Sequence, residues 1–170
     1  MQKVGITILE AVIRRATASD AVELTGIAHA AKRHWGYPER WIELWRDTLT
    51  ITPDFIAIND VYVALVDGKI AGFSALVASE ERAWLEHLWV SPQYMGAGVG
   101  KALFKHAAAE AASNGALALE IESDPNAEEF YKRMGAARVG DVGSEIEGQK
   151  RVLPLLVLDL SRDPRHLGRA

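Results

Sequence analysis

The 170-residue chain contains no cysteine. Disulfides, thiolate zinc sites and cysteine nucleophiles are therefore excluded. Positive charge is in short supply as well: 19 Lys and Arg against 23 Asp and Glu leave a formal net charge of −4. That balance offers no electrostatic footprint for a nucleic-acid backbone. No stretch approaches the roughly 20 consecutive apolar residues that a bilayer span needs, so no membrane partner is expected. The leading MQKVGITILEAVIRR has a short apolar run, but Glu10 interrupts it and no cleavage site follows. It reads as a lead-in to a first strand rather than a secretory signal, and the cytoplasm is the expected location. His29, His34, His106 and His166 lack the H-x-x-x-H type of spacing, so no metal is expected. There is no G-x-S-x-G elbow either.

What is present is ordinary for a globular protein: a hydrophobic fraction of 49% and a charged fraction of 25%. The length suits one domain spanning residues 1–170, with a core from about 11 to 160 and a polar tail at 161–170. AVIRRAT (Ala11–Thr17) reads as a first strand. Ser19 and Asp20 offer N-cap oxygens to a helix whose apolar positions are Val22, Leu24, Ile27, Ala28 and Ala31. RHWGYP breaks it, and Pro38 opens a second helix with Trp41, Leu44, Trp45, Thr48 and Leu49 on its apolar side.

From Val61 the pattern changes to strands. VYVALV and KIAGFSALVA flank Asp67-Gly68, a strong hairpin signal. AWLEHLWV (Ala83–Val90) stops at Ser91-Pro92. A helix from Val99 carries Leu103, Ala107 and Ala111 on one side and ends at Gly115. ALALEIE (Ala116–Glu122), a short helix in PNAEEFYKRMG, and two last strands in AARVGDV and RVLPLLVLDL complete the chain. Pro154 inside the last strand predicts an edge or a bulge. The order gives an α+β fold with a mostly antiparallel sheet and one helical crossover.

The segment QYMGAGVGK (Gln93–Lys101) concentrates glycine just after a strand and at the start of a long helix. A Walker A loop requires glycine where Met95 stands and a hydroxyl residue where Ala102 stands. A dinucleotide fingerprint requires glycine where Lys101 stands, in a parallel βαβ unit at the start of a sheet. The pattern Q/R-x-x-G-x-G/A is met in full by Gln93, Gly96 and Gly98. Successive N–H groups there can cradle a pyrophosphate, helped by the helix dipole, and a side chain at Gly96 or Gly98 would stand where phosphate oxygens must come. A plain glycine-rich turn is the simpler alternative.

Two blocks, LEHLWVSPQYMGAGVGKALFKHA and DPNAEEFYKRMGA, together resemble the GNAT superfamily of acetyl-CoA-dependent N-acetyltransferases. The first is similar to its coenzyme-binding block, the second to its A-x-x-x-Y-x-x-x-G block through Ala127, Tyr131 and Gly135. The resemblance covers nearly the whole chain in element order. It implies a mixed, mostly antiparallel central sheet of about seven strands, splayed between the fourth and fifth, flanked by about four helices. It also implies acetyl-CoA as cosubstrate, with no metal. Backbone groups of Leu88, Trp89 and Val90 would pair with the amide-like pantetheine arm, with the Val90 N–H near the thioester oxygen. Gln93 and the loop of Met95, Gly96, Ala97, Gly98, Val99, Gly100 and Lys101 would hold the phosphates. Asn126, Phe130 and Tyr131 would complete the coenzyme site. The family often has Asn where this chain has Asp124, so Asp124 and Asn126 are both open as the contact there.

Acetyl transfer to an amine also needs an acid and a base. A phenol titrates near 10 and a thiol near 8.5, so Tyr131 can donate to a departing thiolate. Helical spacing sets Phe130 and Met134 toward the core and leaves Tyr131 free to turn to the cleft; a packing tyrosine is the alternative. Alternation along the strand puts Glu86 on one face with Leu88 and Val90, and Leu85, His87 and Trp89 on the other. Glu86 stands where several family members carry their base, with Glu120 and Glu122 as rivals. Trp41 and Trp45 read as core anchors. Trp35 and Tyr37 lie in the break between helices, where the resemblance implies the acceptor side of the cleft. The expected acceptor is a small-molecule or peptide amine. The resemblance is compatible with a homodimer, and a non-catalytic acyl-CoA sensor of the same fold is the rival function.

Overall fold

The computed structural model describes residues 10–164. The lead-in before Glu10 and the tail from 165 onward lie outside the described residues. The chain forms a seven-stranded sheet: β1 (Val12–Arg15), β2 (Asp60–Val66), β3 (Lys69–Ala78), β4 (Arg82–Val90), β5 (Ala118–Glu122), β6 (Ala137–Ile146) and β7 (Gln149–Asp159). Their spatial order is β1-β2-β3-β4-β5-β7-β6. β4 and β5 are parallel, while β1–β2, β5–β7 and β6–β7 are antiparallel. This is the mixed α+β architecture expected. The β4–β5 ladder holds only Arg82↔Ala118, Ala83↔Leu119 and Trp84↔Glu120, although β4 runs on to Val90 and β5 to Glu122. The expected parting of the fourth and fifth strands begins there.

The helices are α1 (Ala21–His34), α2 (Glu39–Leu44), α3 (Arg46–Leu49), α4 (Pro53–Ile58), α5 (Val99–Ser113) and α6 (Glu128–Arg133). The six described α-helices exceed the four or so expected, for two reasons. The helix expected to run from Pro38 to Leu49 breaks at Trp45, whose φ of −87° and ψ of 4° leave the α-helical region. Helix α4 is the second addition. Its signal is Thr52-Pro53-Asp54: the Thr52 hydroxyl accepts the Phe55 N–H at 3.0 Å, and proline occupies the first turn.

Pro154 is not on an edge, because β7 lies between β5 and β6. It sits one residue past the end of the β5–β7 ladder at Glu122↔Leu155. Across β6 it faces Asp141, next to a register shift between Arg138 and Gly140. There the Pro154 carbonyl still accepts the Ser123 N–H at 2.8 Å, so the residue without an N–H meets the β5 side through its acceptor alone, at the ladder's end. The last two strands are longer than expected and are joined by the two-residue turn Glu147-Gly148.

The described chain resolves into two compact units, residues 10–74 with 88–103, and residues 75–87 with 104–164. In the first, Ala64, Val66, Ala71, Val99 and Leu103 form one buried cluster, with Ile13, Leu88, Val90 and Tyr94 packed on it. Leu24, Ala28 and Ala31 are the buried face of α1. In the second, Phe104, Leu119, Ile121 and Leu156 are each almost wholly buried. Burial alternates along the first part of β4, with Ala83, Leu85 and His87 inside and Trp84 and Glu86 outside, as period two requires.

Candidate active site

In the first unit, β4 ends at Val90 and the chain enters a 3-10 turn, Pro92–Tyr94. The Tyr94 N–H donates to the Ser91 carbonyl at 2.9 Å and the Met95 N–H to the Pro92 carbonyl at 3.2 Å. A further turn covers 95–98, and α5 begins at Val99. The Ala102 N–H donates to the Gly98 carbonyl at 3.0 Å. The N–H groups of Val99, Gly100 and Lys101 precede that bond and have no helical carbonyl one turn back. A row of donors therefore stands at the positive end of a 15-residue helix.

Gly96 and Gly98 have φ of +78° and +86°, and a Cβ built on either meets nothing within 4 Å. The two glycines answer a conformational demand that L side chains meet poorly. They also leave the loop's outer side open. Gln93 and Lys101 are exposed beside it.

Leu88, Trp89 and Val90 are half-buried, and Leu88 and Val90 pack on the cluster of Ala64, Val66, Ala71, Val99 and Leu103. This strand is thus a core strand whatever else it does. The Ser91 N–H donates to the Ala71 carbonyl at 2.8 Å.

Trp35 and Tyr37 take different surroundings. Trp35, 38% exposed, meets the edge of His34 at 6.0 Å. Tyr37 joins Trp45 at 5.1 Å and Trp41 at 6.1 Å. The Lys32 ammonium lies 4.7 Å from the Tyr37 ring centre and 4.2 Å from that of Trp45. Trp41 is buried, as expected of an anchor, but Trp45 is only half-buried. The break at Trp45 turns the end of the second helix away from its expected face.

In the second unit Tyr131 is the buried residue of α6, whereas Phe130 and Met134 are half-buried. That reverses the expected facing. Spacing within the helix groups Phe130 with Met134 but does not say which side of α6 meets the core, and in the folded chain the side with Tyr131 does. The Tyr131 ring packs on Phe104 at 5.7 Å and Phe130 at 5.2 Å. Burial, and then the charge of Asp124, push its phenol above the ordinary range, which keeps the proton on. Asp124 caps the 3-10 turn Pro125–Ala127: its Oδ1 accepts the Asn126 backbone N–H and the Asn126 side-chain amide, both at 2.9 Å. The two residues open for the coenzyme contact are bonded to each other.

The three carboxylates differ in setting. Glu86 and Glu122 are exposed. Glu120 is 5% exposed, paired through Oε1 with Arg82, and its Oε2 is buried without a hydrogen-bond partner. His87 was not singled out from sequence, although its place between Leu85 and Trp89 on the inner face was the available signal. It is buried, and burial lowers its pKa to about 4. Among the described residues no group of three or more His, Asp or Glu is arranged to hold a metal ion. Among them, too, no helix is long and apolar enough to cross a membrane.

Residues 57–135 match the acetyltransferase (GNAT) domain family. Streptothricin acetyltransferase of Streptomyces lavendulae is 39% identical over 90 residues, covering 49% of this chain and 48% of that protein. The chain thus matches about half the length of that curated relative. Among solved structures, a GCN5-related N-acetyltransferase from Rhodopseudomonas palustris aligns with a TM-score of 0.74 at 21% identity, covering 90% of this chain and 98% of its own. The PaiA N-acetyltransferase from Thermoplasma acidophilum, solved in complex with coenzyme A, aligns with a TM-score of 0.69 at 20% identity, covering 89% and 99%.

Proposed function

We propose that this chain, which carries a GNAT domain over residues 57–135, works as one acetyltransferase domain that moves an acetyl group from acetyl-CoA directly to a primary amine. The observation that carries this reading is the loop after β4. Two glycines in left-handed conformation open onto free space, and the N–H groups of Val99 to Lys101 stand unclaimed at the start of α5. Such a cradle suits a pyrophosphate. The coenzyme A in the Thermoplasma structure supports the choice of ligand.

In this reading the backbone of Met95–Lys101 holds the phosphates, with Gln93 and Lys101 beside them. Leu88, Trp89 and Val90 offer backbone groups to the pantetheine arm, and the Val90 N–H polarises the acyl carbonyl. Tyr131 holds a proton for the departing thiolate, a role that its raised phenol pKa suits. Glu86, exposed to solvent, takes the ammonium proton through water. The acceptor's body rests on Trp35 and Tyr37. Asn126 and Phe130 belong to the coenzyme side.

A thiol-release assay with acetyl-CoA and a panel of small amines and peptides tests this. Release that saturates with one amine class supports it. Coenzyme binding by calorimetry with no release against any amine would turn the reading to a non-catalytic acyl-CoA sensor. Absence of both binding and release would overturn the coenzyme site itself.

A further inference from the structure

One face of the β4–β5 ladder carries more chemistry than a single proton acceptor requires. Alternation along β4 puts Arg82, Trp84 and Glu86 on one face. In the parallel register Arg82↔Ala118 and Trp84↔Glu120, Glu120 and Glu122 share that face. From β7, Val157 and Leu155 lie opposite Glu120 and Glu122 and present half-buried aliphatic surface on the same side. All of these residues belong to the second unit.

The charges on this face do not balance. Around the ladder Glu86, Glu120 and Glu122 stand against the guanidinium of Arg82, which is bonded to Glu120, while Asp159, opposite Ala118 on the same face, adds a further carboxylate that accepts from Ser161. Glu86 and Glu122 have no ion-pair partner among the described residues. The Glu120 side chain is 6% exposed, yet its Oε2 has no hydrogen-bond partner. A buried carboxylate oxygen left without a donor is costly, and the cost is relieved only when a donor arrives. Arg82, whose side chain is 63% exposed, covers one oxygen from the solvent side and leaves the other. The negative charges of Glu86 and Glu122 are left over beside Trp84, which is 37% exposed.

We propose that this face is the binding site of a dicationic amine, an aliphatic diamine or a longer relative. One ammonium donates to Glu120 Oε2, the second lies between Glu86 and Glu122 where the ladder opens, and the aliphatic stem covers Trp84, Leu155 and Val157. The two ammonium charges offset those of Glu86 and Glu122, and an aromatic face close to a cation adds its own attraction. The site names the acceptor class for the transfer reaction proposed above and rests on that reading for its role, though not for its existence as a binding site.

The test is calorimetric binding of 1,5-diaminopentane and of 1-aminopentane to the full chain without coenzyme. The diamine should bind at least tenfold more tightly, and Glu120→Gln should abolish that preference. Arg82→Ala should tighten diamine binding several-fold, because it leaves Glu120 with both oxygens unpaired. Equal affinity for the two amines would overturn the proposal. So would an unchanged preference in Glu120→Gln. If that variant does not fold, Glu122→Gln and Arg82→Ala decide: unaltered diamine affinity in both counts against the site. Diamine binding without thiol release from acetyl-CoA would sink the transferase reading and leave this site standing. Transfer to the two amines with equal KM would do the reverse.

Discussion

Gly72 of β3 lies so close to Trp89 of β4 that a Cβ built on it would stand 2.6 Å from the Trp89 carbonyl oxygen and 3.2 Å from the Val90 Cα. The obstacle is backbone, which has little room to give. Gly72 therefore fixes how closely β3 can approach the strand assigned to the pantetheine arm. Gly72→Ala should cost about 1–3 kcal/mol of stability, as overpacking does, and should weaken coenzyme binding by displacing residues 88–90. Chemical denaturation and calorimetry with coenzyme A check both. Unchanged stability would show that the sheet relaxes there freely.

The loop glycines make a different prediction, because no side chain crowds them. At Gly98 the cost of Gly98→Ala is conformational, about 1–2 kcal/mol for a left-handed L residue. Asparagine tolerates that conformation better. Gly98→Asn should therefore keep a near-native melting temperature and still lose coenzyme affinity, since its side chain enters the open space beside the unclaimed N–H groups. Recovery of both stability and affinity in the asparagine variant would mean that the loop needs only the backbone turn.

Tyr131→Phe keeps the ring that packs on Phe104 and Phe130 and removes only the hydroxyl. Coenzyme affinity and melting temperature should change little, while turnover should fall by roughly 10²–10⁴-fold, the usual cost of a lost general acid. Burial holds the folded-state phenol pKa above its ordinary value near 10. The wild-type rate should therefore not fall for want of this proton as pH rises to about 10. Unaltered turnover in the phenylalanine variant, with chemistry shown to limit the rate, removes Tyr131 from the mechanism.

His87 supplies a prediction about stability alone. Its folded pKa of about 4 lies below the ordinary histidine value of about 6.5 because burial disfavours the imidazolium. As pH falls below about 6.5 the unfolded chain binds this proton and the folded chain does not, so stability contributed at neutral pH is lost down to about pH 4. The shift sets an upper bound of about 3 kcal/mol. His87→Gln should flatten the fall in melting temperature between pH 7 and 4.5 relative to wild type. Parallel pH curves for the two proteins would show that other groups carry the acid sensitivity.

Strand and helix order were legible because alternation and helical spacing are local. Asp67-Gly68, the run Ala83–Val90 and the glycines at 96 and 98 each declare their backbone within a few residues. The break at Trp45 and helix α4 were less so: one needed a residue to leave helical geometry inside a continuous apolar pattern, and the other was a six-residue helix marked mainly by its cap. The facing of Tyr131 differs from the expected one because spacing groups Phe130 with Met134 without saying which side of α6 meets the core, and only the folded chain fixes that.

By itself the sequence determined the α+β class, the seven strands, and the glycine-rich turn at the start of α5, since each follows from residue type at short spacing. Tertiary structure alone decided which carboxylate is buried. Glu86, Glu120 and Glu122 are indistinguishable as letters. The β4–β5 and β5–β7 ladders put Glu120 in an interior strand, where Arg82 reaches one of its oxygens and burial isolates the other. Side chains from distant parts of the chain set that environment, and spacing within any one segment does not encode it.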